Sequence, residues 1–82
     1  MTARANHYLD ITTEVCPLTF VKTKLLIEKM LSDETVDVRL KGHEPLRNVP
    51  RSVAELGHLI LSLEPEPGEG PLGVHHLLIR KV

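Results

Sequence analysis

The sequence contains few of the residues that several specialised protein classes require. Among 82 residues there is one cysteine, no tryptophan and only two aromatic side chains, Tyr8 and Phe20. A single cysteine excludes an intramolecular disulfide and a zinc site built from cysteines alone. Because aromatic rings are so scarce, the core must be aliphatic. The chain also lacks the stacking platforms on which proteins bind single-stranded nucleic acid.

An excess of charge of one sign is also absent. Ten Lys and Arg against eleven Asp and Glu give a net charge of −1. Dedicated nucleic-acid-binding proteins usually carry a clear positive excess, so direct nucleic-acid binding is not expected. Residues 1–6 lead into no long apolar run, and we expect neither a signal peptide nor a membrane span. A reducing cytoplasm is therefore the expected compartment.

The hydropathy pattern predicts six short elements. Alternation of apolar and polar residues predicts strands at 8–11, 35–41, 58–64 and 74–81, with the leucines at 59, 61 and 63 on one side of the third strand. Helices are predicted at 17–31 and, with Asn48 as cap and Gly57 as stop, at 49–56. The order βαβαββ predicts an α/β (α+β) two-layer sandwich, with two helices on one face of a four-stranded mixed sheet.

The length predicts a single domain over residues 1–82. Within it we expect a flexible N-terminus at 1–6 and a mobile loop at 64–73, where Pro, Gly and Glu are concentrated. That loop could dock a partner or regulate the protein. A solvated connection between two hairpin strands is the simpler interpretation, and we favour it.

The pair Cys16-Pro17 is the most informative feature. Proline is favoured at the first position of a helix, which predicts Cys16 as the N-cap. A thiolate there would meet backbone N–H groups and the positive end of the helix dipole, both of which lower a cysteine pKa. The alternative is a buried structural cysteine that acts as a small apolar residue. A predicted position at a strand-to-helix turn favours the reactive thiol.

The spacing of several residues resembles the TusA-like sulfurtransferase (TusA/SirA) family. The residues that match the family pattern are Leu9-Asp10, Cys16-Pro17 six residues after the aspartate, Lys24, Val49-Pro50, Gly57-His58 and Ile79-Arg80-Lys81. The resemblance covers residues 8–81. It implies the βαβαββ sandwich and a carrier role, in which Cys16 accepts sulfane sulfur as a persulfide from a donor protein, of cysteine desulfurase or rhodanese type, and passes it to an acceptor protein. It implies no cofactor.

The sequence departs from the family pattern at three places. Thr19 stands where the family usually has a second proline, and Thr13 stands where it has a glycine. Lys41-Gly42 replaces the acidic pair that members serving tRNA thiolation carry after the second strand. The reversed local charge makes a role in tRNA thiolation doubtful, whereas sulfur carriage depends on Cys16 itself.

The positions of several other residues in the predicted elements suggest that they assist Cys16. Asp10 could fix the loop before Cys16, and Lys24 is the cation that position and family pattern both favour. Leu18, Val21 and Leu25, with Lys22 beside them, form either an exposed partner surface or a stripe packed on the second helix. Packing is favoured, because helices side by side on a sheet need wide apolar faces. A second stripe of the same helix is assigned to the sheet: Phe20, Thr23, Ile27, Met30 and Leu31, with Leu26 at its edge.

A basic rim around the cysteine is a further possibility, formed by Lys22, Lys24, Lys29, Arg47 and Arg51, although a solvated face explains these cations equally well. Among the five histidines, His75 and His76 are adjacent in a predicted strand and point to opposite faces, so they cannot chelate one ion together. No metal site is expected.

The sequence therefore favours a sulfur carrier that works through Cys16 rather than a conventional turnover enzyme. Two other functions stay open. The first is a non-catalytic interaction or regulatory module on the same fold, suggested by the lost proline and acidic pair. The second is a thiol redox sensor with one exposed cysteine. Cys16→Ser separates the first alternative from the carrier. An interaction module would keep both partner binding and function, whereas a carrier would keep binding but lose function. Disulfide formation under mild oxidation identifies the sensor.

Overall fold

The computed structural model describes residues 5–15 and 17–82. Four strands and two helices follow one another in the order βαβαββ, as the sequence predicts. The elements are β1 (His7–Asp10), α1 (Leu18–Lys29), β2 (Thr35–Leu40), α2 (His43–Glu55), β3 (Leu59–Pro65) and β4 (His75–Arg80).

The strands form one mixed sheet in the order β1-β2-β4-β3. β1 runs parallel to β2, and β4 pairs antiparallel with both β2 and β3. Val36, Val38 and Leu40 are fully buried and alternate with less buried residues, so β2 buries one face only. Both helices add side chains to the same core, and the predicted two-layer sandwich is confirmed. Core residues outside β2 are Ile11, Ile27, Met30, Val49, Val53, Leu77 and Ile79.

Helix α1 starts one residue later than predicted. Pro17 is its N-cap, and the predicted cap, Cys16, lies outside the described residues. The helix ends at Lys29, two residues before the predicted end, and this leaves Leu31 exposed rather than packed on the sheet. Thr19 is buried instead, because it lies one turn before Thr23 on the face that contacts the sheet.

Helix α2 begins six residues earlier than the predicted start at 49. Gly42, with a φ of 98°, is its N-cap, so the predicted cap Asn48 lies inside the helix. Pro45 lies in the first turn of this helix, where a proline is tolerated because its missing N–H would have no partner. Gly57 ends the helix as predicted, with a φ of 96° that favours glycine.

Strand β3 is irregular where the sequence predicted plain alternation. The register to β4 shifts between Ile60 and Ser62, which indicates a bulge at Leu61. A bulge adds one residue and changes the face on which later side chains lie. Leu59 and Leu63 therefore lie on different faces, and the prediction that the leucines at 59, 61 and 63 share one side is wrong.

Candidate functional site

The start of α1 projects into solvent. Val15 and Pro17, which flank Cys16 in the sequence, are both exposed, Val15 by 70 %. The backbone N–H of Leu18 donates to the carbonyl of Val15 at 2.8 Å, and that of Val21 donates to the carbonyl of Pro17 at 3.0 Å. These bonds fix the entry of the chain into the helix. The predicted site residue Cys16 itself lies outside the described residues, and the site is built here from its neighbours.

The segment 10–15, which leads from β1 to Cys16, is held at its start by Asp10. One oxygen of that carboxylate, Oδ1, accepts the backbone N–H of Thr12 at 2.9 Å and its hydroxyl at 2.7 Å. The N–H of Glu14 then donates to the carbonyl of Ile11 at 3.1 Å, which closes a tight turn. The hydrogen bonds from Thr12 hold the pKa of Asp10 below its ordinary value, with a further contribution from Arg39.

The apolar stripe, defined as Leu18, Val21 and Leu25, lies open to solvent. The exposed fractions are 45 %, 39 % and 51 % respectively. Helix α2 does contact α1, but it leaves this stripe uncovered, and the favoured expectation of packing on α2 is wrong. Together with Val15, the stripe forms a row of exposed apolar side chains beginning at the end of α1 where Cys16 occurs in the sequence. Exposed apolar side chains grouped on one helix face make a candidate contact surface for another protein.

The lysines of α1 lie among carboxylates. Lys22 Nζ lies 2.6 Å from Glu14 Oε2, and Lys24 Nζ lies 3.6 Å from Glu28 Oε2. Glu28 follows Lys24 by one turn, so the ammonium group of Lys24 is drawn away from the start of the helix. Arg51 is similarly paired with Glu55 on α2. Three of the five cations proposed for a basic rim thus have acidic neighbours, which weakens their combined field.

The residues at the departures from the family pattern have structural roles. Thr19 is fully buried, and its carbonyl accepts the hydroxyl of Thr23 at 2.8 Å. Gly42 combines its positive φ with an N–H that donates to the carbonyl of Leu72 at 3.0 Å. This bond ties the start of α2 to the loop between β3 and β4. The loop therefore has a fixed contact with the helical layer.

His75 and His76 lie on opposite faces of β4, as predicted. His75 is buried on the helix side, and its Nδ1 lies 2.8 Å from the carbonyl of Gly73. Within residues 5–15 and 17–82, His, Asp and Glu side chains form no group of three that could hold a metal ion. Neither helix in the part of the chain that the structure describes is long and apolar enough to cross a membrane.

Sequence reasoning missed an ion-pair chain on the sheet face opposite the helices. It consists of Asp37, His76, Glu66, Arg39 and Asp10, which come from β1, β2, β4 and the residue after β3. Side-chain alternation places the β2 and β4 members on this face, but only the strand register shows that they meet. Hydrogen bonds from Arg39 and then His76 lower the pKa of Glu66. This ion-pair chain ends at Asp10, the residue whose carboxylate accepts hydrogen bonds from Thr12.

Comparison with protein-family models finds a match to the family described as Sulfurtransferase TusA over residues 7–81. A protein of Archaeoglobus fulgidus named "Putative sulfur carrier protein" is 54 % identical over 61 residues, which are 73 % of this chain and 68 % of that protein. A protein of the same name from Thermotoga maritima is 34 % identical over 56 residues, covering 68 % of this chain and 71 % of that protein.

A solved structure shares the fold. The crystal structure of a SirA-like protein from Desulfitobacterium hafniense superimposes with a TM-score of 0.75 at 16 % sequence identity. The alignment covers 90 % of this chain and 95 % of the other. At this identity the likeness concerns the arrangement of helices and strands alone. It agrees with the four-stranded mixed sheet and paired helices described above.

Proposed function

The chain belongs to the TusA sulfurtransferase family, and from this premise we propose that it carries sulfur as a persulfide on Cys16. Cys16 is the only cysteine in the sequence, so a thiol-based carrier has one residue to use. Two relatives, each named "Putative sulfur carrier protein", support the general role. Val15, Pro17 and Leu18, which surround Cys16 in the sequence, are all exposed. This exposure is the main support for persulfide formation on Cys16, because partner proteins can reach this part of the surface.

The transfer consists of two displacements at sulfur. The Cys16 thiolate attacks the outer sulfur of a persulfide on the donor, the donor's S–S bond breaks, and the donor cysteine leaves as a thiolate. Cys16 then carries that sulfur as its own persulfide. A nucleophile of the acceptor attacks the terminal sulfur, and Cys16 leaves as a thiolate. Atoms and electrons balance in both steps, so no cofactor, oxidant or reductant is required.

The apolar stripe is the proposed contact surface for these partners. A donor of cysteine desulfurase or rhodanese type must bring its persulfide close to Cys16, and so must the acceptor protein. Exposed Leu18, Val21 and Leu25 offer apolar surface that a partner can remove from water, which favours association. Lys22 and Lys24, both about half exposed, flank the stripe. Partners that use this surface in turn would alternate rather than bind together.

The test is intact-mass analysis after incubation with a donor. The protein is mixed with a cysteine desulfurase and cysteine, and separately with a rhodanese loaded with thiosulfate. We expect a gain of one sulfur atom that dithiothreitol removes, and no gain in Cys16→Ser. Sulfur that accumulates equally on Cys16→Ser, or no sulfur from either donor, would contradict the proposal. Transfer to a second thiol protein, followed by mass, then establishes the relay.

A further inference from the structure

A continuous chain of ion pairs crosses the open face of the sheet. The Nδ1 atom of His76 lies 2.9 and 3.0 Å from the two carboxylate oxygens of Asp37, and its Nε2 atom lies 2.6 Å from Glu66 Oε2. Arg39 donates to Glu66 from Nε at 2.7 Å and from a terminal nitrogen at 3.2 Å. Its other terminal nitrogen donates to Asp10 Oδ2 at 3.2 Å.

Both ring nitrogens of His76 face carboxylates, and a carboxylate can only accept. Both contacts are therefore hydrogen bonds only when the ring is the doubly protonated imidazolium. In the sheet register His76 pairs with Arg39 on β2 and with Glu64 on β3. Among residues 5–15 and 17–82, the charged groups around it are thus Asp37, Glu64 and Glu66, together with the cation Arg39.

Burial alone would lower the pKa of His76, but the hydrogen bonds to Asp37 and Glu66 outweigh it and raise that pKa above the ordinary value. Loss of the proton at higher pH leaves one nitrogen lone pair facing a carboxylate. Glu66 is already neutralised by Arg39, whereas Asp37 has no other cation among its described contacts. The remaining proton is therefore retained towards Asp37, and Glu66 is the carboxylate that is repelled.

At the end of the ion-pair chain opposite His76, Asp10 contacts the segment before Cys16. Arg39 divides its guanidinium between Glu66 and Asp10, so a displaced Glu66 changes how strongly Arg39 holds Asp10. Asp10 uses its other oxygen, Oδ1, to hold the N–H and hydroxyl of Thr12. Thr12 lies four residues before Cys16. Hydrogen bonds in such a chain strengthen one another, so a change at one end alters the other.

We propose that Arg39 and Glu66 are positioning residues, which couple the protonation of His76 to the geometry of segment 10–15 and so to the reactivity of Cys16. The part concerning Cys16 rests on the proposed carrier function. The coupling to Thr12 does not, because it follows from the contacts that join His76 to Thr12 through Glu66, Arg39 and Asp10. Through this coupling the carrier holds its loop in one arrangement when His76 is charged and in another when it is neutral.

The experiment is an NMR titration of the full chain between pH 5 and about 9, the range that brackets an ordinary histidine pKa of about 6.5. The ring signal of His76 and the backbone amide signal of Thr12 are followed together. We expect both to change with the same midpoint. Glu66→Gln should abolish the change at Thr12, while Glu64→Gln, an acidic neighbour outside the ion-pair chain, should leave it intact.

A second variant guards against simple unfolding. Asp37→Asn removes one carboxylate from His76 but leaves Glu66, Arg39 and Asp10 in place. We expect the midpoints of His76 and Thr12 to move to lower pH together. A Thr12 amide that does not respond while His76 titrates, or that keeps its midpoint in Asp37→Asn, would overturn the coupling.

The effect on Cys16 is measured by alkylation with iodoacetamide, which needs no sulfur donor. In the wild type the rate should show an inflection at the His76 midpoint in addition to the titration of the thiol, and Glu66→Gln should lose that inflection only. A rate profile with the thiol titration alone would overturn the link to Cys16. Because alkylation and persulfide loading are separate measurements, this result is distinguishable from failure of the carrier function.

Discussion

Glu14 and Lys22 join the segment before Cys16 to the helix that follows it, with 2.6 Å between Glu14 Oε2 and Lys22 Nζ. The pair spans the position of Cys16 in the sequence. Asp10 holds the same segment at its other end through Thr12. Two partly exposed side-chain contacts thus hold segment 10–15 at both ends without extending the small core.

Loss of this pair should have a local effect. We expect Lys22→Met to lower the free energy of unfolding by about 0.5 kcal/mol, since partly exposed ion pairs contribute little. Exchange of the Glu14 amide hydrogen should become about twofold faster, because that free energy is lost from the local opening reaction. Urea unfolding and hydrogen exchange by NMR measure the two effects. Lys29→Met, on the same helix, is the control, and an equal acceleration there would contradict the prediction.

Core and edge leucines should differ sharply when truncated. Leu77 is fully buried in the centre of the sheet, whereas Leu61 is 47 % exposed on the edge strand. We expect Leu77→Ala to reduce the free energy of unfolding by about 2–5 kcal/mol through lost burial and a residual cavity. Leu61→Ala should cost about 1 kcal/mol or less. Urea denaturation of both variants tests this, and similar losses would show that the edge is packed more tightly than described.

The apolar stripe should matter to transfer and not to folding. We expect Leu25→Ser to slow sulfur loading from a donor about tenfold at low carrier concentration, the effect of about 1.4 kcal/mol of lost binding energy. Its urea midpoint should stay near that of the wild type because Leu25 is half exposed. Leu31→Ser, which removes an exposed leucine beyond the other end of α1, is the matched control. Equal slowing in both variants would argue against a defined contact surface.

Stability should reach a maximum in mildly acidic solution. The pKa of His76 is raised in the folded state, so its contribution is complete below an unfolded-state value of about 6.5 and is lost as pH rises through the higher folded value. The pKa values of Glu66 and Glu34 are lowered, the latter by hydrogen bonds from His7 and Leu31. Their contributions are present above an unfolded-state value of about 4.3 and are lost as pH falls through the lower folded values.

Urea midpoints measured from pH 4 to 9 test the predicted direction of the change in stability with pH. We expect a fall on the alkaline side that disappears in His76→Gln and persists in His43→Gln, which alters an exposed histidine on α2. If His76→Gln retains the full alkaline fall, the ion-pair chain is not its source.

Much of the fold could be predicted because local patterns determine it. β2 reads as alternating apolar and polar residues, and its burial alternates in the same way. The start of α2 could not be predicted in this way, because Gly42 and Pro45 are common in turns and are equally compatible with a helix start. In the structure the carbonyl of Gly42 accepts the N–H of Leu46, and this bond marks a helix start. The bulge at Leu61 likewise depends on pairing with β4, which no local signal contains.

The candidate site also has features that local sequence predicts and features that depend on contacts in space. Asp10, Lys22 and the apolar stripe were identified from spacing and helix periodicity, which are local. The exposure of the apolar stripe could not be predicted from the sequence, because it depends on where α2 packs. Arg39 and Glu66 are 27 residues apart in the sequence and meet only through strand register. No pattern within either segment indicates this contact. The role of Cys16, outside the described residues, stays a prediction.

The bulge in β3 has a consequence for the molecule in concentrated solution. β3 is an edge strand rich in leucine, and such a strand could recruit an identical strand from another molecule and begin aggregation. The irregular register at Leu61 interrupts the flat row of free backbone groups, and Glu64 and Pro65 close its end with a charge and a residue that cannot donate. These features of β3 disfavour pairing between its edge and a second molecule.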